Sequence, residues 1–337
     1  MSIPVLVTGG AGYVGSHCCK ALAAAGFLPI VYDNLSTGHR WAVKWGPLEE
    51  GDVLDRARLD SVIAKHKPLA GLHFAALSQV AESMGDPARY WRVNVAGSLT
   101  LLEALHAAAV ENFVFSSSAA IFGIPAHVPI VEDQTQTPIN AYGQSKLAVE
   151  RILTDFSTAY GLRATALRYF NAAGADAAAE IGEDHMPESH LIPLVLDAAA
   201  GRRPDIAVFG EDYPTPDGTC LRDYIHVADL AEAHVLALRR LIDGGSTRFF
   251  NLGNGNGFSV REVIATAKAV TGRDFAVRPA DRRTGDPPSL VADSTQAKAT
   301  LGWKPQRAAL ETQIADAWRW HQMHFAPRGV GRDSAGV

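Results

Sequence analysis

Short apolar runs alternate with longer amphipathic stretches through the first half of the chain. Residues 4–8, 29–33, 72–75, 112–116 and 163–169 read as strands, and residues 15–25, 59–67, 94–109 and 145–160 as helices. Gly26 stops the first helix, and a further strand is expected just before Gly51. Runs such as Val5-Leu6-Val7 lack polar alternation, which fits strands covered on both faces. Strands separated by helices imply right-handed crossovers on one parallel sheet. The predicted fold class is therefore α/β, with a doubly wound parallel sheet.

The pattern changes after Asn171. Residues 172–220 are rich in Gly, Pro, Asp and His, with one predicted helix at 191–200 and a loop at 211–219. Regular elements return at 227–241, 248–252, 260–271 and 310–323. We divide the chain into a first domain over residues 1–171 and a smaller mixed α/β cap over 172–325. Segments at about 222–252 return to the first domain, and residues 326–337 form a disordered tail. The glycine-rich stretch 251–257 is read as a tight turn in the cap, because no acid closes a clear following strand.

Composition narrows the function. Of 337 residues, 47% are hydrophobic and 20% charged, as in an ordinary globular protein. Lys and Arg total 31 against 36 Asp and Glu, a net charge of −5 that argues against nucleic acid and anionic membranes as partners. Three cysteines, none in a CxxC pair, exclude a disulfide scaffold. The histidines show neither HxxxH nor HExxH, so no metal is expected. No signal peptide or membrane span is recognisable, and a reducing cytoplasm is the expected location.

Two motifs carry chemistry. Gly9, Gly12 and Gly15 follow the first strand and open a helix. Such glycines permit a tight turn, a close backbone approach to a pyrophosphate and helix–sheet packing, while the helix N-terminus favours the anion. Asp33 ends the next strand, where a carboxylate accepts from both ribose hydroxyls and repels a 2′-phosphate. The first domain is thus read as a Rossmann domain that prefers NAD to NADP. Asp52 suits either the adenine amino group or a helix N-cap.

In the second motif, Ser116, Ser117 and Ser118 close a strand, and Tyr142 and Lys146 share one helix face at i and i+4. An ammonium near a phenol favours the phenolate and makes a proton acceptor of it.

The chain resembles the extended short-chain dehydrogenases/reductases, and among them the UDP-glucose (UDP-galactose) 4-epimerase family. The resemblance is carried by TGGAGYVGSH (8–17), YDNLSTGH (32–39), HFAA (73–76), SSSAAIFG (116–123), AYGQSKLAVE (141–150) and LRYFNAAGA (167–175). HLIP (190–193), RDYIHVADLA (222–231), NLGNGNG (251–257) and RRTGDP (282–287) belong to its nucleotide-sugar members. The resemblance implies Tyr142 as base, Lys146 as the lysine that lowers its pKa and Ser118 as hydroxyl donor. It implies NAD contacts at Tyr13, Val14, Asp33, Asn34, Asp52, Val53, Phe74, Ala75, Ala76, Asn94, Lys146 and Phe170, with Gly9, Gly12, Gly15, Ser116 and Tyr142 completing the cofactor site. Sugar-nucleotide contacts fall on Asn171, Leu191, Phe209, Arg222, Arg283 and Asp286, beside Ser118 and Tyr142. His190 stands where some members have asparagine, Leu290 where some have tyrosine, and Ser78 where some have lysine; His190 and Leu290 complete the predicted substrate set.

What this implies is reversible epimerisation at C4 of UDP-glucose and UDP-galactose through a transient 4-keto sugar, with tightly bound NAD. It also implies a homodimer through helices at 99–109 and 147–160. UDP-pentoses and UDP-N-acetylhexosamines remain alternative substrates. A 4,6-dehydratase would need acidic groups after Ser118, where Ala119 and Ala120 stand. A net nucleotide-sugar oxidoreductase would release its cofactor, and a non-catalytic NAD(H)-sensing module would not need Tyr142 and Lys146 together.

Overall fold

The structure, a computed structural model, describes residues 2–283 and 286–325. The tail expected at 326–337 lies outside the described residues, as do Thr284 and Gly285 of the RRTGDP motif. The first half supplies six strands: β1 (Ile3–Thr8), β2 (Phe27–Asp33), β3 (Leu48–Glu50), β4 (Ala70–His73), β5 (Asn112–Ser116) and β6 (Arg163–Arg168). Four short strands follow outside their sheet: β7 (Asn171–Ala173), β8 (Asp205–Phe209), β9 (Leu221–Arg222) and β10 (Tyr224–His226). Then β11 (Arg248–Asn251) returns and pairs parallel with β6. The seven-stranded sheet has the order β11-β6-β5-β4-β1-β2-β3, so the strand order reverses between β1 and β4.

Helices α1 (Tyr13–Ala24), α2 (Arg56–His66), α3 (Val80–Gly85), α4 (Pro87–Tyr90), α5 (Gly97–Ala107), α6 (Ala141–Tyr160), α7 (Leu191–Ala199) and α8 (Val227–Ile242) follow in chain order. Alternate residues of each strand serve opposite faces. Val5, Val7 and Val31 pack with Cys19 and Leu22 of α1 and with Leu230 and Leu238 of α8. Leu6, Ile30 and Tyr32 pack with Leu59 of α2, Leu105 of α5 and Leu153 of α6. Both faces are covered, which is why the strands read as unbroken apolar runs.

Several helices begin earlier than their apolar pattern predicts, and caps explain it. The Asn140 carboxamide accepts from Gly143 N at 2.8 Å, so α6 starts at Ala141 rather than Ser145 and takes in Tyr142. Asp55 accepts from Arg58 N at 3.0 Å and starts α2. Asp86 caps Pro87, and helical backbone runs through a π-helical segment at Trp91–Ala96 into α5. The helix predicted from residue 94 thus begins at a proline whose fixed φ suits a first turn.

The remaining elements are β12 (Phe258–Ser259), α9 (Val260–Thr271), β13 (Ala276–Ala280), β14 (Ser289–Leu290), α10 (Thr295–Leu301) and α11 (Leu310–His324). A separate core joins Ile192 and Val195 of α7, Val208, Tyr224, Val263 of α9 and Ile314 of α11. The β8–β13 ribbon escaped sequence reading because β13 is largely exposed and carries Pro279 at a ladder position. The turn at 251–257 wraps the buried Asp223 carboxylate, which accepts from Asn254 N at 2.9 Å and Ala292 N at 3.2 Å. A Cβ on Gly253 would lie 2.4 Å from that carboxylate.

Trp303 is fully buried in the α1/α8 core, and its indole N–H donates to Asp229 O at 2.9 Å. Trp303→Ala is expected to cost about 3–5 kcal/mol, read as a lower urea midpoint at unchanged slope.

Candidate active site

The reversal between β1 and β4 opens a crevice at the carboxyl ends of the strands, where open α/β sheets bind their ligands. Gly9 turns there with φ +74°, and a Cβ on it would meet Ala75 N at 2.4 Å. A Cβ on Gly15 would lie 2.2 Å from Gly9 O. Gly12 is the N-cap of α1, and no side chain caps that helix. Its first amides are thereby available to an anion, so the turn fits a dinucleotide pyrophosphate. Tyr13 beside it donates to Gly174 O at 2.6 Å, and Val14 is half-buried.

Asp33 accepts from Ala11 N at 3.0 Å and Leu35 N at 2.9 Å, one bond on each oxygen. Each oxygen keeps a lone pair for a ribose hydroxyl. Burial pushes the carboxyl above its ordinary range, and the two amides pull it back. Asp52 accepts from Asn34 Nδ2 and from Leu54 N, at 2.8 and 2.9 Å. It is not the helix cap left open by the sequence reading; Asp55 takes that place because it directly precedes α2. Val53 is buried beneath Gly97. Phe74 N and Ala75 N both donate to Thr8 O, at 2.8 and 3.1 Å, so the 74–76 segment is locked to the phosphate turn. Asn94 braces the next loop, accepting from Leu77 N at 2.8 Å and donating to Leu77 O and Ser145 Oγ, each at 3.0 Å.

The three serines part company. The Ser116 and Tyr169 hydroxyls bond at 2.6 Å, and Ser117 donates to Glu150 Oε1 at 2.6 Å. Only Ser118 faces Tyr142, with its own Oγ accepting from Ala120 N at 3.1 Å. Lys146 Nζ donates to Ser116 O at 2.8 Å and lies 5.8 Å from the centre of the Tyr142 ring.

Burial pushes the Tyr142 phenol above its ordinary value, against the hydrogen bond from Ser118. Burial also pushes Lys146 down to about 7, with Glu150 the countering charge. Glu150 was not picked out from the sequence, although it follows Lys146 by one helical turn. It forms a bidentate pair with Arg168, Nε to Oε1 at 2.9 Å and NH2 to Oε2 at 2.6 Å, both side chains being buried.

On the cap side, Arg222 pairs with Asp286 and donates to Leu221 O at 2.7 Å. Both belong to the sugar-nucleotide set that the resemblance implies, and the ion pair couples them. The Arg283 guanidinium lies 4.0 Å from the centre of the Phe209 ring. Arg283 and Asp286 line a cleft of about 350 Å³ with Ile124 and Tyr213. Asn171 donates to Asp223 O at 3.3 Å. Leu290 and Phe170 each pack against the cluster of Ala119, Ile121 and Phe122, which directly follows Ser118. His190 precedes Leu191 at the start of α7 and bonds Glu188 at 2.8 Å.

A dinucleotide turn and a tyrosine–lysine–serine group on one sheet edge, faced by cap arginines, describe a dehydrogenase-type enzyme of the short-chain class built for an anionic substrate. The chain belongs to the NAD dependent epimerase/dehydratase family, which matches residues 5–253. It is 54% identical over 317 residues to a UDP-glucose 4-epimerase of Rhizobium leguminosarum bv. trifolii, covering 94% of this chain and 97% of that one. The crystal structure of UDP-glucose 4-epimerase from Brucella ovis in complex with NAD superposes with a TM-score of 0.93 at 51% identity, covering 94% and 98% of the two chains. A Stenotrophomonas maltophila UDP-glucose-4-epimerase with bound NAD and formylated UDP-arabinopyranose gives 0.93 at 41% identity, covering 96% and 99%.

The Lys146 shift has a sign that can be tested. Burying the ammonium penalises the folded state in full below about 7, and the penalty fades as the pH rises from there to 10.5. Relative to Lys146→Met, the wild type should gain stability across that window, read from urea unfolding at a series of pH values.

Proposed function

We propose that the protein interconverts UDP-glucose and UDP-galactose at C4 through a 4-keto sugar, with NAD held in the crevice between β1 and β4. The observation that carries this reading is Lys146 donating to Ser116 O at the end of β5 and lying over the Tyr142 ring, in a chain about half identical to UDP-glucose 4-epimerases over nearly its full length. Bound NAD brings a cationic ring and the capacity to accept a hydride at one face of the sugar and return it to the other. Asp33 would hold the adenosine ribose, the amides of α1 would hold the pyrophosphate, and Lys146 would contact the cofactor beside Tyr142. Tyr142 takes the proton of the 4-hydroxyl, with Ser118 donating to the developing alkoxide, and gives it back when C4 is reduced. Burial disfavours the Tyr142 phenolate, which a positive charge on Lys146 and on the bound cofactor would favour.

Arg222, Arg283 and Asp286 bind the UDP end, and Asn171, Leu191, His190 and Phe209 border it. Binding energy placed there, away from C4, leaves the hexose loose enough to turn over. Residues 1–171 with the returning segment 222–252 hold the cofactor, and 172–325 hold the sugar nucleotide. The homodimer would form through α5 and α6, which pack side by side with the His106 and Tyr160 rings stacked 4.5 Å apart at their ends. No helix among the described residues is long and apolar enough to cross a membrane. A cytoplasmic location is supported by Cys18, Cys19 and Cys220, all buried as free thiols.

Tyr142→Phe keeps the fold and should lower turnover by about 10²–10⁴-fold, measured with UDP-galactose and no added reductant; near wild-type turnover overturns the assignment.

The pocket also bears on substrate breadth. Leu290 packs on the cluster that follows Ser118 and is smaller than tyrosine, which would leave room beside C2 of the hexose. The wild type should epimerise UDP-N-acetylglucosamine more slowly than UDP-glucose, and Leu290→Tyr should suppress the N-acetyl reaction selectively. Equal losses on both substrates, or no N-acetyl activity in the wild type, refute this.

A further inference from the structure

Between β7 and α7 the chain crosses from the cap to the first turn of α1. Residues 183–190 of this crossing read Glu-Asp-His-Met-Pro-Glu-Ser-His, a spacing that a search for HxxxH or HExxH passes over. Glu183, His185, Glu188 and His190 each present one ligand atom, and the four atoms lie within 4.8 Å of one another. His190 Nδ1 is 2.9 Å from Glu183 Oε1 and 2.8 Å from Glu188 Oε1. His185 Nδ1 is 3.2 Å from Glu183 Oε1 and 3.6 Å from Glu188 Oε2. Zinc binds nitrogen and carboxylate oxygen at about 2.0–2.2 Å, so the edges of its tetrahedron are about 3.3–3.6 Å. Three of the separations are shorter than those edges and one matches them, so a bound ion would spread the four atoms slightly.

A second observation points the same way. His185 Nδ1 is sealed from solvent and makes no hydrogen bond, although it faces both carboxylates. A buried ring nitrogen held only by long ion pairs, at 3.2 and 3.6 Å, is poorly satisfied, and a metal ion at the centre of the four atoms would satisfy it. Two neutral imidazoles and two carboxylates carry two negative charges, which one divalent cation balances, and this donor set suits zinc over magnesium or calcium.

We infer that Glu183, His185, Glu188 and His190 form a binding site for a single zinc ion that fastens the crossing segment to the cofactor-binding lobe. The segment already touches that lobe beside the cluster. The His185 ring lies edge-on to Tyr13 at 6.4 Å, His39 Nε2 bonds Asp184 O at 3.0 Å, and Gln79 donates to Pro187 O at 3.2 Å. Zinc would make this chain of contacts rigid at the mouth of the crevice. The inference does not depend on which sugar is turned over.

The test is a calorimetric titration of Zn²⁺ into the metal-stripped, NAD-loaded protein, with Co²⁺ as a spectroscopic probe. One ion per chain is expected, with the visible absorption of a tetrahedral cobalt centre. Loss of one ligand should weaken binding by at least about 10²-fold. Glu188→Gln, nearly isosteric, and His185→Gln are both measured, and retention of bound NAD confirms that each is folded. Stoichiometric binding lost in either folded variant supports the site. No binding by the wild type, octahedral cobalt, or equal affinity in both folded variants overturns it and leaves the cluster as two histidine–carboxylate pairs.

Discussion

The structure depends on one close approach. Where β1 hands over to α1, Gly9 lies against the backbone of Ala75 at the end of β4, in a conformation and a space that exclude any side chain. Thr8 O accepts from both Phe74 N and Ala75 N, so the two strand ends are fastened at the point where the sheet order reverses. Beneath them His73 bridges Thr8 Oγ1 at 2.6 Å and Ser98 Oγ at 2.8 Å, and burial keeps it neutral by pushing its pKa down to about 3. The crevice, the unpartnered amides of α1 and the position of Asp33 all follow from that fastening.

A second constraint carries the catalytic side. The buried Arg168–Glu150 pair ties β6 to α6, and Ser117 at the end of β5 donates to the same carboxylate. Arg168 also donates to Glu132 O at 3.1 Å, while the Glu132 carboxylate accepts from Asn251 N at 3.0 Å. Strands β5, β6 and β11 are thus registered to the helix that bears Tyr142 and Lys146. Removing one member of such a pair leaves a buried charge alone, at a cost of about 3–5 kcal/mol. Its fully satisfied hydrogen bonds give the serine edge and the tyrosine face one relative geometry.

The two lobes meet through the segment after β7. Lys20 of α1 bonds Asp176 at 2.7 Å, Lys44 donates to Glu180 O at 2.8 Å, and Trp41 lies against Trp320 of α11 with ring centres 5.1 Å apart. A reaction that oxidises and then reduces the same sugar gains nothing from releasing its cofactor. A crossing segment tied to α1 beside the phosphate turn suits that requirement, whereas a net oxidoreductase would need that mouth to open on each cycle.

Local chemistry made much of this legible in the sequence. Unbroken apolar runs set the parallel sheet, because strands buried on both faces have no polar alternation. Gly9, Gly12, Gly15 and Asp33 marked the cofactor turn, because their roles come from backbone freedom and from a strand end. Tyr142 and Lys146 were visible because i and i+4 share a helix face. Tertiary structure decided what depends on residues far apart in the chain. It gave the three serines different partners, coupled Arg222 to Asp286, and buried both Tyr142 and Lys146. It also brought Glu150 to Arg168 and set the crossing segment 183–190 against Tyr13, His39 and Gln79. The physical reason is that desolvation and ion pairing depend on what surrounds a group in space, which periodicity along the chain does not encode.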